Sequence, residues 1–355
     1  MARTLRYGLI GTGLMGFEHI RNIALLPDAR VTALADPHPD SRELGTRAVG
    51  HPVQVFEDYR DLLGCGEVDA VVISTPNMTH AAVLDDVFET PLHILVEKPL
   101  CTTLEACRRV EERAAQHPGV VWVGMEYRYM KPVAEMVSLL RAGGAGELQR
   151  LSIREYRFPF LPKVGDWNRF NRNAGGTLVE KCCHFFDLMN WITRDRPVRV
   201  FASGGQDVNH LDERYDEGVP DILDNAFVIV DYAAGVRALL DLCMFAEAAR
   251  NEQEITAVGH RGLVECFIPS GDVAVGNRET GAWEKRHVPV DPEILAAGFH
   301  HGATYYEHEA FLAAVRGEGE VEVDAHAGAL AVAVGLAAQR SIEAGRPVEM
   351  SELGF

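Results

Sequence analysis

The segment GGTLVEKCCHFFDL, residues 175–188, sets adjacent cysteines beside a histidine, with acids on both sides. Such residue types serve three chemistries: a metal centre, a thiol redox pair, or a proton-handling pair on a helix. Helical spacing separates them. Glu180, His184, Asp187 and Trp191 fall at i, i+4, i+7 and i+11 and share one face. Leu178, Cys182, Phe185, Met189 and Ile192, widened by Val179, Cys183 and Phe186, form an apolar stripe. The cysteines therefore read as core packing. Neighbouring helical residues point apart, so they cannot readily share a metal or close an ordinary disulfide. No metal is expected. A carboxylate one turn from an imidazole orients it and raises its basicity, which makes His184 with Glu180 a candidate general base. Asp187 either backs this pair or stands in solvent. Lys181 either reaches substrate hydroxyls or pairs with a neighbouring acid.

A second group lies near the N-terminus. GTGLMG, comprising Gly11, Thr12, Gly13, Leu14, Met15 and Gly16, follows a short apolar run and opens a helical pattern. Asp36 closes ARVTALAD about 20 residues on, as a dinucleotide turn requires. Gly11 would allow the tight turn, Gly13 the approach of a pyrophosphate, and Gly16 the packing of helix on strand. The helix N-terminus adds unpaired N–H groups and a positive dipole end. Asp36 would accept hydrogen bonds from both ribose hydroxyls and repel a 2′-phosphate, so NAD is expected over NADP. Arg42 nearby works slightly against that preference. In STPNMTH, Ser74, Thr75, Pro76 and Asn77 border the cofactor at the end of the fourth strand, while His80 either touches it or serves the helix that follows. HILVEKPL sets Glu97 and Lys98 at the carboxyl end of the fifth strand, facing the same crevice, where both are expected to border the cofactor.

These groups need elements to hold them. Through about residue 125, strand and helix alternate strictly and the strands are nearly continuous apolar runs. That pattern indicates an α/β domain, a Rossmann doubly wound parallel sheet covered on both faces. Beyond it, helical stretches give way to strand-like runs joined by Gly-containing turns at residues 234–235 and 259–262, and two helical stretches close the chain. This second part reads as an α+β domain with a largely antiparallel sheet. The expected boundaries are 1–125 for NAD(P) binding and 126–355 for substrate binding and oligomerisation. The polar loop at residues 209–224 is either a mobile flap or a solvated connection, and the second reading is preferred.

Bulk properties narrow the function classes. The 355 residues are 47% hydrophobic and 24% charged, enough for two cores. A net charge of −18, from 34 basic and 52 acidic side chains, argues against a nucleic-acid surface. Neither a bilayer-spanning run nor a secretory leader is evident, so a cytoplasmic protein without membrane contact is expected. Seven cysteines without paired spacing read as buried thiols.

Several residues suit a polyhydroxylated substrate. GDWNRFNRNAGG offers Trp167, Arg169, Arg172 and Asn173 as an aromatic face with hydroxyl-binding donors, and GFHHGATYYEH groups His300, His301, Tyr305, Tyr306 and His308. Tyr127 and Arg128 follow the sixth strand, near the nicotinamide end. With GxGxxG, STPN, EKP and the His184 helix together, the chain resembles the Gfo/Idh/MocA oxidoreductases over essentially its whole length. EKP and the downstream histidine helix are the most specific part. The resemblance implies NAD(P)-dependent oxidation of sugars or polyols, inositol included. It further implies an open sheet forming a subunit interface, hence a homodimer or homotetramer. Lys98 corresponds to the active-site lysine, and the D-x-x-x-H pattern falls on Glu180 and His184, with Glu replacing Asp. The expected reaction moves hydride between a secondary alcohol of a sugar, sugar derivative or cyclitol and the nicotinamide. A free lysine titrates near ~10.4, so His184 is the preferred base and Lys98 the electrostatic partner. Two alternatives stay open: an NAD-dependent glycosidase, and a non-catalytic NAD/sugar-binding regulator, against which Lys98 argues.

Overall fold

A computed structural model describes residues 3–216 and 218–355; Met1, Ala2 and the Glu217 of the acidic loop lie outside the described residues. The chain divides into two compact units, Met1–Tyr129 with Val290–Ala329, and Met130–Pro289 with Leu330–Phe355.

The first unit holds β1 (Leu5–Ile10), β2 (Ala29–Ala35), β3 (Gln54–Phe56), β4 (Ala70–Ile73), β5 (His93–Glu97) and β6 (Val121–Gly124). They pair in the order β3-β2-β1-β4-β5-β6, and every pairing is parallel. Parallel strands between helical layers are buried on both faces. Accordingly AVVI of β4 and VWVG of β6 are buried at every position. The strand order reverses between β1 and β4, and ligands of such sheets bind beyond the carboxyl ends at that point. The late segment contributes to this core. Val123 donates its N–H to the Val323 carbonyl (3.0 Å), and Phe311 meets Trp122 edge-on with ring centroids 6.1 Å apart.

Among the described residues, the second unit is built on nine strands: β7 (Leu148–Tyr156), β8 (Pro197–Gly205), β9 (Asn225–Tyr232), β10 (Arg237–Cys243), β11 (Gln253–Gly259), β12 (Gly262–Ile268), β13 (Asp272–Asn277), β14 (Trp283–His287) and β15 (Val348–Glu349). Their order is β14-β13-β12-β11-β7-β10-β9-β8-β15. Only β7 and β10 pair in parallel; the other pairings are antiparallel. Burial alternates along β11 and β12, as it does when one face packs and the other is open. On the open face Phe201, Phe227 and Ile229 are exposed, while Val200, Val228 and Val230 point into the core. The two Gly-containing hairpins form as expected. The central strand β7 lies outside the expected strands because Arg150 and Arg154 interrupt its apolar run; both belong to the partly open face. Strands β13, β14 and β15 are likewise additional to those expected, and β14 is exposed along its length.

One expectation is corrected. Residues 175–192 do not form one helix: Thr177–Glu180 and Cys183–Thr193 are separate, with Lys181 and Cys182 between them. The Cys182 N–H reaches back to the Thr177 carbonyl (3.3 Å), and the ladder restarts where the Phe186 N–H donates to the Cys182 carbonyl (3.0 Å). A single helical face running from Glu180 through Trp191 therefore does not exist as drawn. The acidic loop is mostly exposed or half-buried, as a solvated connection is, and is held by hydrogen bonds at several points. Asp224 accepts the N–H groups of Asp207 (3.1 Å), Val208 (2.8 Å) and Asn209 (2.7 Å). Glu213 accepts from Arg169 (2.9 Å) and Tyr215 (2.8 Å) and meets His210 (2.7 Å).

Candidate functional site

The glycine turn after β1 shows what each glycine does. Gly11 has φ +92°, and a Cβ there would lie 2.7 Å from the Ser74 carbonyl oxygen; at Gly16 it would lie 2.2 Å from the Gly11 oxygen. Protein packing alone demands glycine at both. At Gly13 a Cβ would meet nothing within 4 Å, so the protein itself does not need glycine there. Open space in front of Gly13 is a cradle for a ligand group. Gly13 is also the N-cap of the helix Leu14–Ile23 and brings no side chain to its first N–H groups, which favours an anion at that end. Leu14 is exposed and Met15 half-buried at the same mouth. Asp36 is held at both oxygens: Oδ2 accepts the Thr12 N–H and Oδ1 the His38 N–H, each at 2.8 Å. Arg42 donates to the Asp36 and Pro37 carbonyls (2.6 and 3.0 Å), which commits its guanidinium to the turn. These residues fit a dinucleotide with a free ribose diol.

Beside this turn, the Ser74 hydroxyl donates to the Gly11 carbonyl (2.8 Å). Thr75 and Pro76 are half-buried and Asn77 is buried. His80 is fully buried, with Nδ1 2.8 Å from the Pro99 oxygen and Nε2 3.0 Å from the Thr75 oxygen. It ties the turn after β4 to the turn after β5.

At the end of β5, Glu97 is buried. Its Oε1 lies 2.9 Å from His19 Nε2, and its Oε2 accepts the Lys98 N–H at 3.2 Å. His19 Nδ1 lies 2.9 Å from His308 Nε2. Lys98 itself is half-buried. A second chain of groups adjoins. Glu18 meets His300 Nδ1 (3.1 Å) and accepts from Thr304 (2.9 Å), and His300 Nε2 lies 3.7 Å from Glu126 Oε1. Burial raises the Glu126 carboxyl to about 7; Glu97 adds to this, while His300 and Lys98 oppose it. Burial would raise Glu18 too, but the charge and hydrogen bond of His300, with Thr304 and the Phe299 N–H, bring it down to about 2. Burial, with Glu126 and Glu97, holds Glu307 well above the usual carboxylate range, and Trp122 donates to it at 3.3 Å. Tyr127 is buried, its ring 6.2 Å from that of His300, and Arg128 donates to the Glu322 carbonyl (2.7 Å). His301, at φ +55°, and Tyr305 are half-buried.

Sequence reasoning missed Glu18, His19 and Glu126 and gave His308 no such partner. One signal was available: a Glu-His pair inside a helix that GxGxxG obliges to pack on the sheet.

In the second unit Glu180, His184 and Asp187 are all buried. A solvated Asp187 is thereby excluded. Cys182 and Cys183 are fully buried, and burial pushes the Cys182 thiol well up. Lys181 Nζ lies 2.9 Å from Glu155 Oε1, and Gln253 donates to Oε2 at 2.7 Å. Arg169 is buried and donates to Glu213, whereas Trp167 is half-buried.

A doubly wound sheet with a dinucleotide turn, joined to a mixed sheet unit carrying buried acid and imidazole, defines an oxidoreductase of the Rossmann class. Residues 5–125 match the oxidoreductase family domain with an NAD-binding Rossmann fold, and residues 137–350 match that family's C-terminal alpha/beta domain. The chain belongs to this family, Gfo/Idh/MocA. It is 28% identical over 356 residues to inositol 2-dehydrogenase 1 of Saccharopolyspora erythraea, covering 98% of this chain and 96% of that protein. It is 31% identical over 193 residues to the rhizopine catabolism protein MocA of Rhizobium meliloti, covering 54% of this chain and 58% of that protein. In fold it is similar to a scyllo-inositol dehydrogenase from Lactobacillus casei solved with NAD(H) and scyllo-inositol: TM-score 0.79, 22% identity, 98% of this chain and 100% of the other.

Proposed function

We propose that this protein is an NAD-dependent dehydrogenase acting on a secondary alcohol of a sugar, sugar derivative or cyclitol. The observation that carries the cofactor choice is Asp36, anchored at both oxygens by backbone N–H groups beside the open cradle at Gly13. Its negative charge favours a ribose diol over a 2′-phosphate. Bound NAD supplies the hydride acceptor. His184 takes the proton of the reacting hydroxyl, Glu180 orients that imidazole, and the Lys98 ammonium stabilises the negative charge that develops on the oxygen. Tyr127, Trp167, His301 and Tyr305 contact the substrate. Arg128, Arg169 and Lys181 each serve an internal partner already. Residues 1–125 carry cofactor binding and residues 126–355 carry substrate binding and oligomerisation. The exposed Phe201, Phe227 and Ile229 of the open sheet support a homodimer or homotetramer formed through that face.

The decisive experiment is a panel of sugars and cyclitols followed at the NADH absorbance, run with NAD and with NADP. NAD-dependent oxidation of at least one polyol is expected. A strong NADP preference would refute the role of Asp36, and cleavage of glycosides without net NADH would replace the dehydrogenase reading.

A further inference from the structure

Glu97 is a buried acid with no direct part in the chemistry just described, and its surroundings are built for it. Its Oε1 receives His19 at 2.9 Å, and His19 is backed by His308 at 2.9 Å. All three side chains are buried, at 4%, 0% and 0% exposure. They come from three separate elements: the end of β5, the helix Leu14–Ile23 and the helix Ala303–Val315. The neighbouring strand makes room for them. A Cβ on Gly124 of β6 would lie 3.3 Å from both the Cα and the Oε1 of Glu97.

The donor sequence follows from the chemistry of imidazole, where a neutral ring offers one N–H and one lone pair. Burial holds His308 well below the usual histidine range, so His308 is neutral. Its Nε2–H donates to His19 Nδ1, and His19 Nε2–H donates to Glu97. The chain of donors ends on the carboxylate. Burial would raise the Glu97 carboxyl, but the His19 hydrogen bond, then Lys98 and His300, lower it instead. A charge so placed cannot move: Oε1 is tied to His19 and Oε2 to the Lys98 N–H.

We propose that Glu97, His19 and His308 are a positioning triad that anchors a negative charge at the backbone of Lys98 and so keeps the Lys98 amine protonated for the reaction. The inference rests on Lys98 acting at the substrate, as read above. Other titratable groups face this end of β5: Glu126 after β6, His300 ahead of the helix Ala303–Val315, and Glu307 on that helix. They set the background against which the triad acts. Glu126 is an acid held near neutrality, and Glu97 is the carboxylate bound directly to the Lys98 amide.

The test reads Lys98 protonation without any turnover. The chain has only five lysines, at positions 98, 131, 163, 181 and 285. Acetic anhydride labelling of the cofactor-free protein across pH, resolved by peptide mass spectrometry, reports each amine separately. In Glu97→Gln the midpoint for Lys98 labelling should fall by about 1–2 pH units, the scale of losing one close opposite charge. His19→Gln and His308→Gln keep a donor at the Nε2 position and should give smaller shifts in the same direction. Lys131 and Lys285 should not move. Midpoints that overlay the parent in Glu97→Gln and His19→Gln, or that rise, overturn the triad; if Glu97→Gln does not fold, His19→Gln decides alone. Failure of the catalytic reading looks different: Lys98→Ala would keep full turnover whatever the labelling shows.

Discussion

Lys98 and Lys181 each stand next to a buried glutamate, yet the two environments differ in what is left over. Glu97 is already taken by His19 and by the Lys98 N–H, and around it sit Glu126, raised to about 7, and Glu307, also raised. That cluster holds more acids than fixed cations. It can gain and lose protons near neutral pH. Lys181, by contrast, meets Glu155 at 2.9 Å, with Gln253 on the other carboxylate oxygen and Arg157 at 3.6 Å. Burial and Arg157 pull the Lys181 ammonium below the usual lysine range, while Glu155 and Glu252 push back. Its charge is spent on a local pair that closes the core under β7. Buried charge is therefore poised in one unit and neutralised in the other: the same residue type stands beside titratable acids in the first and closes a local pair in the second.

The largest expected effect separates the two lysines. Lys98→Ala, like His184→Ala, should lower turnover about 10²–10⁴-fold with little change in melting temperature. Steady-state rates alongside calorimetry check this, and unchanged rates in both variants would remove the assigned roles. Lys181→Ala should do the reverse. Leaving Glu155 buried without its cation should cost about 3–5 kcal/mol of stability, read as a lower denaturant midpoint. A Lys181→Met, Glu155→Gln double variant should recover much of that loss, since no lone charge remains; an additive loss would show that the pair is more than a neutralised charge.

The smallest effect concerns pH. Glu126 has a folded-state value raised to about 7, above that of an unfolded glutamate. The folded protein therefore holds this proton more tightly, and the associated stability is present below about 4.3 and is lost as pH rises through about 7. Glu126→Gln removes the titration, so at pH ~8 it should exceed the parent by about 1–3 kcal/mol and match it near pH ~5. Melting curves across that range test it, and parallel pH profiles would mean that Glu126 is not the poised group.

Particular residues show how far the sequence could be read. The glycine turn, Asp36 and the place of the EKP lysine at the end of β5 were legible because each depends on a strand end and the few residues after it. Alternation of apolar runs likewise exposed the parallel sheet. The Glu97–His19–His308 contacts were not legible, because His19 and His308 are 289 positions apart and nothing in their local patterns links them. The broken helix at Lys181–Cys182 was hidden because periodicity counts residues and does not register a lost hydrogen bond. Strand β7 was hidden because a half-open strand with arginines on one face looks like a polar connection.

By itself, the sequence determined the fold class, the dinucleotide turn and the family, since these follow from residue types at short spacing. Tertiary structure alone decided that residues 290–329 return to the first unit. It also decided that two histidines and an acid meet behind Lys98, and that Lys181 is consumed by Glu155. The physical reason is that burial and pairing set the state of a charge, and both are properties of neighbours in space, which spacing along the chain does not encode.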